Sequence, residues 1–336
     1  MATARTATVR LWTKNFKKMK MENNQIMMKE KLGFFGILKE ALTIPCKNPK
    51  FIILTFLTSL PLFCAMLIHE TIFQQTLIET AKISTQKPFC DQFFCYNMQP
   101  MDVIKQLIEV VSHRFLLLGL LYLGMVHLLD LLNTIKTINS ASVIYAGEKS
   151  MNLKDMLYRP IKEATFGGPL ITSLYALLLA SLTLLGLVSL ATQFYTSSKN
   201  ILFMVVFGVL FIALLTKYLE WTAIWNMGLV ISILEGKHGD VALGVSAYLS
   251  RGSRRRGLFL VLVFFVWRLA LRVSCLYVGW HEGGSGIVVT ATQVCLVCLE
   301  NVIKWVVFMI YFYDCKKRFL EKKVDVEDGR AAENVK

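Results

Sequence analysis

The sequence predicts an all-α membrane protein in which six transmembrane helices form three hairpins, each preceded by a cytosolic interfacial amphipathic helix. Three observations predict this fold. Hydrophobic residues make up 55% of the 336 residues, whereas soluble domains contain roughly half at most. Six apolar runs are long enough to cross a hydrocarbon core about 30 Å thick. Lysine and arginine are concentrated in alternate loops, as in proteins that thread back and forth through a bilayer.

The apolar runs define the domain organisation. The spans are expected at about residues 51–68, 115–135, 169–193, 201–233, 258–280 and 287–313, within a membrane domain that covers residues 31–318. Residues 1–30 are predicted to be a disordered basic tail, and residues 319–336 a charged tail. The fourth run is about 50 Å long as a helix, so its last turns should project into the cytosol, or the helix should tilt strongly.

The distribution of charge predicts the orientation. If the N-terminus is cytosolic, 27 of the 37 lysines and arginines lie in cytosolic segments and 5 in the opposite ones. Both termini are therefore predicted to be cytosolic, in an endomembrane or the plasma membrane. This asymmetry also accounts for the formal net charge of +14 without a nucleic-acid partner.

The N-terminal segment leaves three interpretations open. No cleavable signal peptide is expected, because the first apolar run begins near residue 51, behind a long basic stretch. The first twenty residues lack acids and contain Thr, Arg and Lys, which is typical of a transit peptide. They are otherwise an unstructured tail, or an extended start ahead of the true initiator at Met19 or Met21.

Three surface helices are predicted from apolar residues at helical spacing between or before the spans. Their apolar faces are expected to comprise Phe35, Leu38 and Leu42; Leu153, Met156 and Leu157; and Val241, Val245, Tyr248 and Leu249. Pro45 is expected to end the first helix. Ser150 and Asp240 are expected to cap the other two.

The residues from 69 to 114 are predicted to be the longest non-cytosolic segment. Cys90 and Cys95 lie near its middle, and on a lumenal or extracellular face two cysteines at this spacing can form a disulfide. Spacing alone does not establish the bond, so the pair and two free thiols remain open.

A weak internal repeat supports the three hairpins. Gly147 and Gly236 lie 89 residues apart, and so do the span starts Pro169 and Leu258. Each of these glycines precedes a surface helix, a basic stretch and a span. The chain is therefore interpreted as three units, the first of which has a longer loop before its second span.

Two stretches carry a resemblance to a known family. Residues 30–41 (EKLGFFGILKEA) and residues 225–235 (WNMGLVISILE), with the basic cluster that follows, resemble a plant family of six-span membrane proteins of uncharacterised function. The resemblance covers about residues 30–320. The chain is more distantly similar to the membrane-domain module found beside glycerophosphodiester phosphodiesterases in bacteria. The catalytic domain of those enzymes has no counterpart here, so the resemblance implies architecture rather than activity.

Ionisable residues inside the spans form one candidate site, because such residues are costly in a bilayer unless they are paired or hydrated. The candidate intramembrane polar cluster comprises Arg268, Arg272, Glu300, Lys304 and Asp130. An ion pair between Arg268 and Glu300, on spans 5 and 6, is the best single contact. The cluster either holds helices together, which we favour, or lines a polar path for an ion or an amphiphile.

A basic patch forms the second candidate site. Arg251, Arg254, Arg255 and Arg256 precede the fifth span, where they are expected to face the anionic cytosolic leaflet. Ordinary positive-inside topology explains the same charges without lipid specificity. Cys46 and Cys315 are juxtamembrane and lie beside lysines, so both are candidates for palmitoylation.

These features favour a non-enzymatic membrane protein that organises lipids or partner proteins through its basic cytosolic face. The alternative is a transporter or channel for a small solute that uses the polar cluster. No catalytic residue, cofactor or metal site is predicted, since His69-Glu70 and His281-Glu282 lack the second histidine of a zinc-protease helix. The expected partners are membrane lipids and other membrane proteins.

Overall fold

The computed structural model describes residues 32–86, 117–146, 166–196, 201–281 and 287–333. Within these ranges the chain is helical apart from short turns, and no strand occurs. Six helices are long and apolar enough to cross a membrane. The predicted all-α class with six potential spans is therefore confirmed, whereas the three hairpins with interfacial helices remain a prediction.

The described part of the chain contains eight main helices. They are α1 (Phe34–Lys47), α2 (Pro49–Gln86), α3 (Leu117–Tyr145), α4 (Gly167–Thr196), α5 (Ile201–Glu235), α6 (Gly239–Leu249), α7 (Arg254–His281) and α8 (Ile287–Glu333). A π-helical turn, Tyr122–Val126, lies within α3, and a 3-10 turn, Ser250–Gly252, joins α6 to α7. The segments that could span a membrane are Pro49–Thr76, Leu117–Tyr145, Gly167–Tyr195, Ile201–Glu235, Arg254–Cys275 and Val288–Lys322.

Two helices continue beyond the expected ends of their spans. Helix α2 does not stop near Ile68 but runs on to Gln86, and α8 does not stop near Tyr313 but runs on to Glu333. Residues 69–86 contain neither glycine nor proline, so nothing in the local sequence interrupts the helix. Hydropathy falls at these points, but a fall in hydropathy marks the end of an apolar span and not the end of a helix.

Helix α1 differs from the prediction at its end and in its buried face. It continues past Pro45 to Lys47, where the Asn48 amide Nδ2 donates to the Ile44 carbonyl at 3.0 Å and satisfies part of the helix terminus. Ile37 is fully buried, while Phe35, on the predicted apolar face, is 80% exposed. The helix therefore has one packed apolar face and one open apolar face, and a bilayer surface would cover the latter.

The chain divides into two compact units. Unit 1 contains Met1–Leu54, Ile135–Phe264 and Ile303–Lys336, and unit 2 contains Thr55–Thr134 and Phe265–Val302.

Unit 1 has the larger described core. Every residue of α8 from Trp305 to Phe312 is buried, so this part of the helix is surrounded on all sides. Other elements of the unit each contribute at least one buried apolar side chain. These include Ile37, Ile138, Met227, Val230, Ile231, Ala242 and Leu260.

The α4–α5 hairpin of unit 1 is packed at one end and open at the other. The two helices pack against each other, and α6 packs against both. Leu185 of α4 and Ile212 of α5 are more than 60% exposed, whereas Val230 and Ile231 near the end of α5 are fully buried. The last turns of the overlong fourth span are therefore packed against protein.

Glycines shape the junction between α5 and α6. Gly236 and Gly239 both adopt positive φ, at 63° and 58°, which side chains with a Cβ rarely tolerate. The Gly239 N–H donates to the Thr172 hydroxyl at 2.9 Å, and that hydroxyl also bonds to Ser232. The prediction that Asp240 caps α6 is wrong: the helix begins at Gly239, its N-cap residue is His238, and the His238 side chain makes no capping hydrogen bond.

The predicted apolar face of α6 is only partly the packed one. Leu249 is buried, but Val241 and Tyr248 are more than 40% exposed. Ala242 and Ser246 are fully buried instead, because small side chains permit the close approach to α5. The Ser246 hydroxyl donates to the Ile224 carbonyl at 2.6 Å.

Unit 2 is built from parts of α2, α3, α7 and α8. Its apolar core is small and comprises Leu62, Val126, Val294 and Cys298. Many of its other interactions are polar, and the candidate intramembrane cluster lies among them.

Candidate functional site

The Arg268–Glu300 pair is present in unit 2. The Arg268 Nε atom donates to Glu300 Oε2 at 3.1 Å, linking α7 to α8. The Glu300 side chain is buried, whereas that of Arg268 is about half exposed. The pair neutralises a carboxylate that would otherwise be very costly among apolar helices. Whether it serves transport or only packing stays a prediction.

Arg272 binds a different carboxylate. It forms an ion pair with Glu70 of α2, and its guanidinium lies 4.9 Å from the centre of the Phe73 ring. The Gln74 amide also donates to Glu70, at 3.2 Å. Sequence reasoning missed Glu70 because the first span was expected to end at Ile68. The spacing of Glu70 and Gln74, one helical turn apart, was the available signal.

Asp130 is held by an amide rather than by a cation. The Asn301 Nδ2 atom donates to Asp130 Oδ1, joining α3 to α8 within unit 2. In the described part of the chain no lysine, arginine or histidine forms an ion pair with Asp130. Sequence reasoning missed Asn301, which carries no charge and stands directly after Glu300.

Several buried polar atoms of unit 2 have no hydrogen-bond partner. They are His127 Nε2, Asn133 Nδ2, Gln293 Oε1 and Asn301 Oδ1. A buried unsatisfied group costs about 1–3 kcal/mol, so such groups commonly mark a water, ion or ligand site. The π-helical turn Tyr122–Val126 ends directly before His127, and such turns occur frequently at functional sites.

Lys304, the fifth member of the predicted cluster, belongs to unit 1. Its ammonium lies 4.5 Å from the centre of the Trp305 ring, a cation–π contact. The other four members, Arg268, Arg272, Glu300 and Asp130, all belong to unit 2.

The predicted basic patch divides into exposed and engaged arginines. Arg251, Arg254 and Arg255 are exposed, and a loose ion pair at 3.5 Å links Arg254 to Glu220. Arg256 is half-buried, and its Nη1 atom donates to Asp314 Oδ2 at 2.6 Å. Three of the four arginines therefore face the surroundings of unit 1, and the fourth attaches the start of α7 to α8.

Asp314 is the centre of a charged clamp, which we define as Asp314, Arg256, Arg318 and the backbone of Leu32. The buried carboxylate accepts hydrogen bonds from Arg256, from Arg318 Nε at 2.8 Å and from the Leu32 N–H at 3.1 Å. Both guanidinium groups also donate to the Leu32 carbonyl, at 3.1 and 2.8 Å. The clamp thus holds the chain just before α1.

A second charged group lies at the end of α5. The Lys316 ammonium donates to Glu235 Oε1 at 2.9 Å, and Lys237 lies 3.3 Å from Glu235 Oε2. Burial lowers the pKa of Lys237, and Glu235 opposes this effect while Lys316 adds to it. Lys316 and Arg318 are thus engaged within the protein rather than free for lipid headgroups.

The two candidate palmitoylation sites differ in access. Cys46 is exposed, and its modification stays a prediction. Cys315 is buried and lies 3.1 Å from the Ser253 hydroxyl, so its selection as a modification site is wrong for the folded protein. Cys90, Cys95, the basic N-terminal tail and the predicted helix that begins at Ser150 lie outside the described residues.

Comparisons with known proteins identify a family but no activity. No curated protein matches the chain, and no solved structure matches it. A family described as a domain of unknown function, DUF8558, matches residues 19–328. Because this match covers most of the 336 residues, the chain belongs to the DUF8558 family.

Proposed function

We propose that this chain is a non-enzymatic integral membrane protein that binds anionic lipid headgroups through Arg251, Arg254 and Arg255. Through this surface it would organise lipids, or partner membrane proteins, at the cytosolic leaflet. The observation that carries the proposal is the exposure of these three arginines at the start of α7, beside a fourth that is fixed to the protein.

The local geometry supports an anion site. Helix α7 begins at Arg254 and has no acidic residue in its first turn. The N–H groups of Arg256 and Gly257 bond to the Ser253 carbonyl, so those of Arg254 and Arg255 are the helix N–H groups that remain for a phosphate. The positive end of the helix dipole and the arginine charges act in the same direction there.

The charge asymmetry of the chain supports the orientation in this proposal. Lysine and arginine are concentrated in the segments assigned to the cytosol, where anionic lipids give the leaflet a negative surface potential. Both termini would then be cytosolic. The arginines before α7 would lie at the depth of the headgroups.

Lipid binding by purified protein tests the proposal. In nanodiscs of anionic lipid, the triple variant Arg251→Gln, Arg254→Gln, Arg255→Gln should retain fewer co-bound anionic lipids in native mass spectrometry. At about 1 kcal/mol per charge, the three substitutions together should weaken binding about a hundredfold.

A charge-matched variant separates a specific site from general positive charge. Lys39, Lys47 and Lys217 are also exposed, and their replacement with glutamine removes the same three charges elsewhere. The proposal requires this control to bind lipid nearly as well as the wild type. An equal loss of bound lipid in both triple variants would show that the basic patch reflects positive-inside topology and is not a specific lipid site.

A second candidate function is transport of a small solute, which the unpartnered buried atoms of unit 2 favour. A path for a polar solute needs polar groups not already satisfied by the protein. Reconstituted protein should then conduct or exchange solute, and Arg268→Ala or Glu300→Ala should reduce the flux. A flux that neither substitution alters would argue against this candidate.

A further inference from the structure

We propose that Asp130 and the side-chain carbonyl oxygen of Asn301 form a binding site for one small monovalent metal cation, an alkali metal ion. The site lies in unit 2, on segments of α3 and α8 that could span a membrane. It goes beyond lipid binding by the basic patch and holds whether or not that proposal does.

Charge balance is the first argument. The described side chains of unit 2 include three carboxylates, those of Glu70, Asp130 and Glu300, and two guanidinium groups, those of Arg268 and Arg272. Each guanidinium is paired with a carboxylate other than Asp130. Asp130 is thus the carboxylate of this described set that has no ion pair, and a charge without a counter-ion is strongly unfavourable among apolar helices. A monovalent cation at Asp130 would supply that counter-ion.

The geometry of Asn301 is the second argument. Its side chain is buried, with 3% of the residue exposed, and Nδ2 donates to Asp130. Its Oδ1 atom is buried and has no hydrogen-bond partner. Because Nδ2 and Oδ1 are bonded to the same carbon, Oδ1 lies within one amide width of the hydrogen bond to Asp130, and a small cation held in that space would bind the amide oxygen and the carboxylate. A hard cation prefers such carboxylate and amide oxygens.

The surroundings of Asp130 supply no competing counter-ion in the described part of unit 2. His127 lies one turn away on α3, and Cys298 on α8 is close enough for the charge of Asp130 to act on its thiol. Glu300, also on α8, is neutralised by Arg268 of α7. From α2, Thr58 and Ser59 reach Asn133, one turn beyond Asp130, and neither of them titrates.

Thermal unfolding of the full chain tests the site. The protein is placed in nanodiscs of zwitterionic lipid, so the result does not depend on anionic-lipid binding. The Tm is measured in sodium or potassium chloride and in N-methylglucamine chloride at equal ionic strength. Wild type is compared with Asp130→Asn and with Asp240→Asn, a matched change at an exposed aspartate of α6.

Each outcome of this experiment either supports or overturns the proposed site. An alkali-dependent rise in Tm that Asp130→Asn abolishes and Asp240→Asn keeps supports the site. A Tm that does not depend on alkali metal ions, or an equal dependence in the wild type and in Asp130→Asn, would overturn the proposal.

A second variant keeps the test valid if Asp130→Asn fails to fold. Asn301→Asp conserves size and places a second carboxylate beside the first. The proposal requires a larger alkali-dependent shift of Tm than in the wild type. A shift equal to that of the wild type would contradict it.

Discussion

Replacing Asp314 with alanine is expected to destabilise the protein by about 3 kcal/mol. The substitution removes the acceptor of two charge-assisted hydrogen bonds, from Arg256 and Arg318, and of a third bond from the Leu32 N–H. It also leaves two guanidinium groups next to each other without their common counter-ion.

The magnitude follows from burial. The Asp314 side chain is 2% exposed, while those of Arg256 and Arg318 are 20% and 34% exposed. Loss of one partner from a buried ion pair costs roughly 3–5 kcal/mol. Because water reaches both arginines and both keep a bond to the Leu32 carbonyl, we expect a value near the lower end.

The assay is equilibrium unfolding in mixed micelles with increasing SDS, followed by tryptophan fluorescence. Asp240→Ala, at an exposed aspartate, is the matched control and should change the free energy of unfolding by less than about 0.5 kcal/mol. In a double-mutant cycle, Asp314→Ala and Arg318→Ala together should destabilise the protein by less than the sum of the two single substitutions. An Asp314→Ala variant as stable as the control would refute the clamp.

Three further predictions concern packing, backbone and access. Gly257→Ala should destabilise the protein by about 1–3 kcal/mol in the same assay, because a Cβ there would lie 2.8 Å from the Tyr311 hydroxyl; an unchanged value would contradict this packing. Gly236→Val should cost about 1–2 kcal/mol and Gly236→Asn clearly less, since φ is positive there and the space is open; equal costs would exclude backbone strain. In variants that keep one cysteine, a maleimide should label Cys46 in the folded protein but Cys315 only after unfolding, and early labelling of Cys315 would show that it is accessible.

The features predictable from sequence were those that depend on composition and on spacing within one helix. Six spans follow from hydropathy alone. The Arg268–Glu300 contact was predictable because two opposite charges on neighbouring spans fall at similar depth and have few alternatives. Gly236 and Gly239 signalled the break between α5 and α6, where both adopt positive φ.

The remaining contacts of the site depend on helix length and helix packing, which the spacing of residues within one helix does not reveal. The Arg272–Glu70 pair requires α2 to continue past Ile68, and the fall in hydropathy there does not show that the helix continues. The role of Asn301 depends on how α3 and α8 pack, and a search for charges passes over an amide.

The basic patch shows the same limit. Consecutive arginines on a helix point about 100° apart, so packing alone decides which of them turns toward the protein. In this structure Arg256 does so, and Arg254 and Arg255 do not.

The clamp at Leu32 has a consequence for shortened forms of this protein. At position 32 it binds main-chain atoms, so any residue with a backbone N–H can make these hydrogen bonds, whereas Arg256, Arg318 and Asp314 contribute their side chains. A chain cut to start at Leu32 would replace the amide N–H with an ammonium group beside two guanidinium groups. If one residue before Leu32 is retained, the peptide bond and its N–H group are kept. A shortened chain therefore has to start at residue 31 or earlier to leave this junction intact.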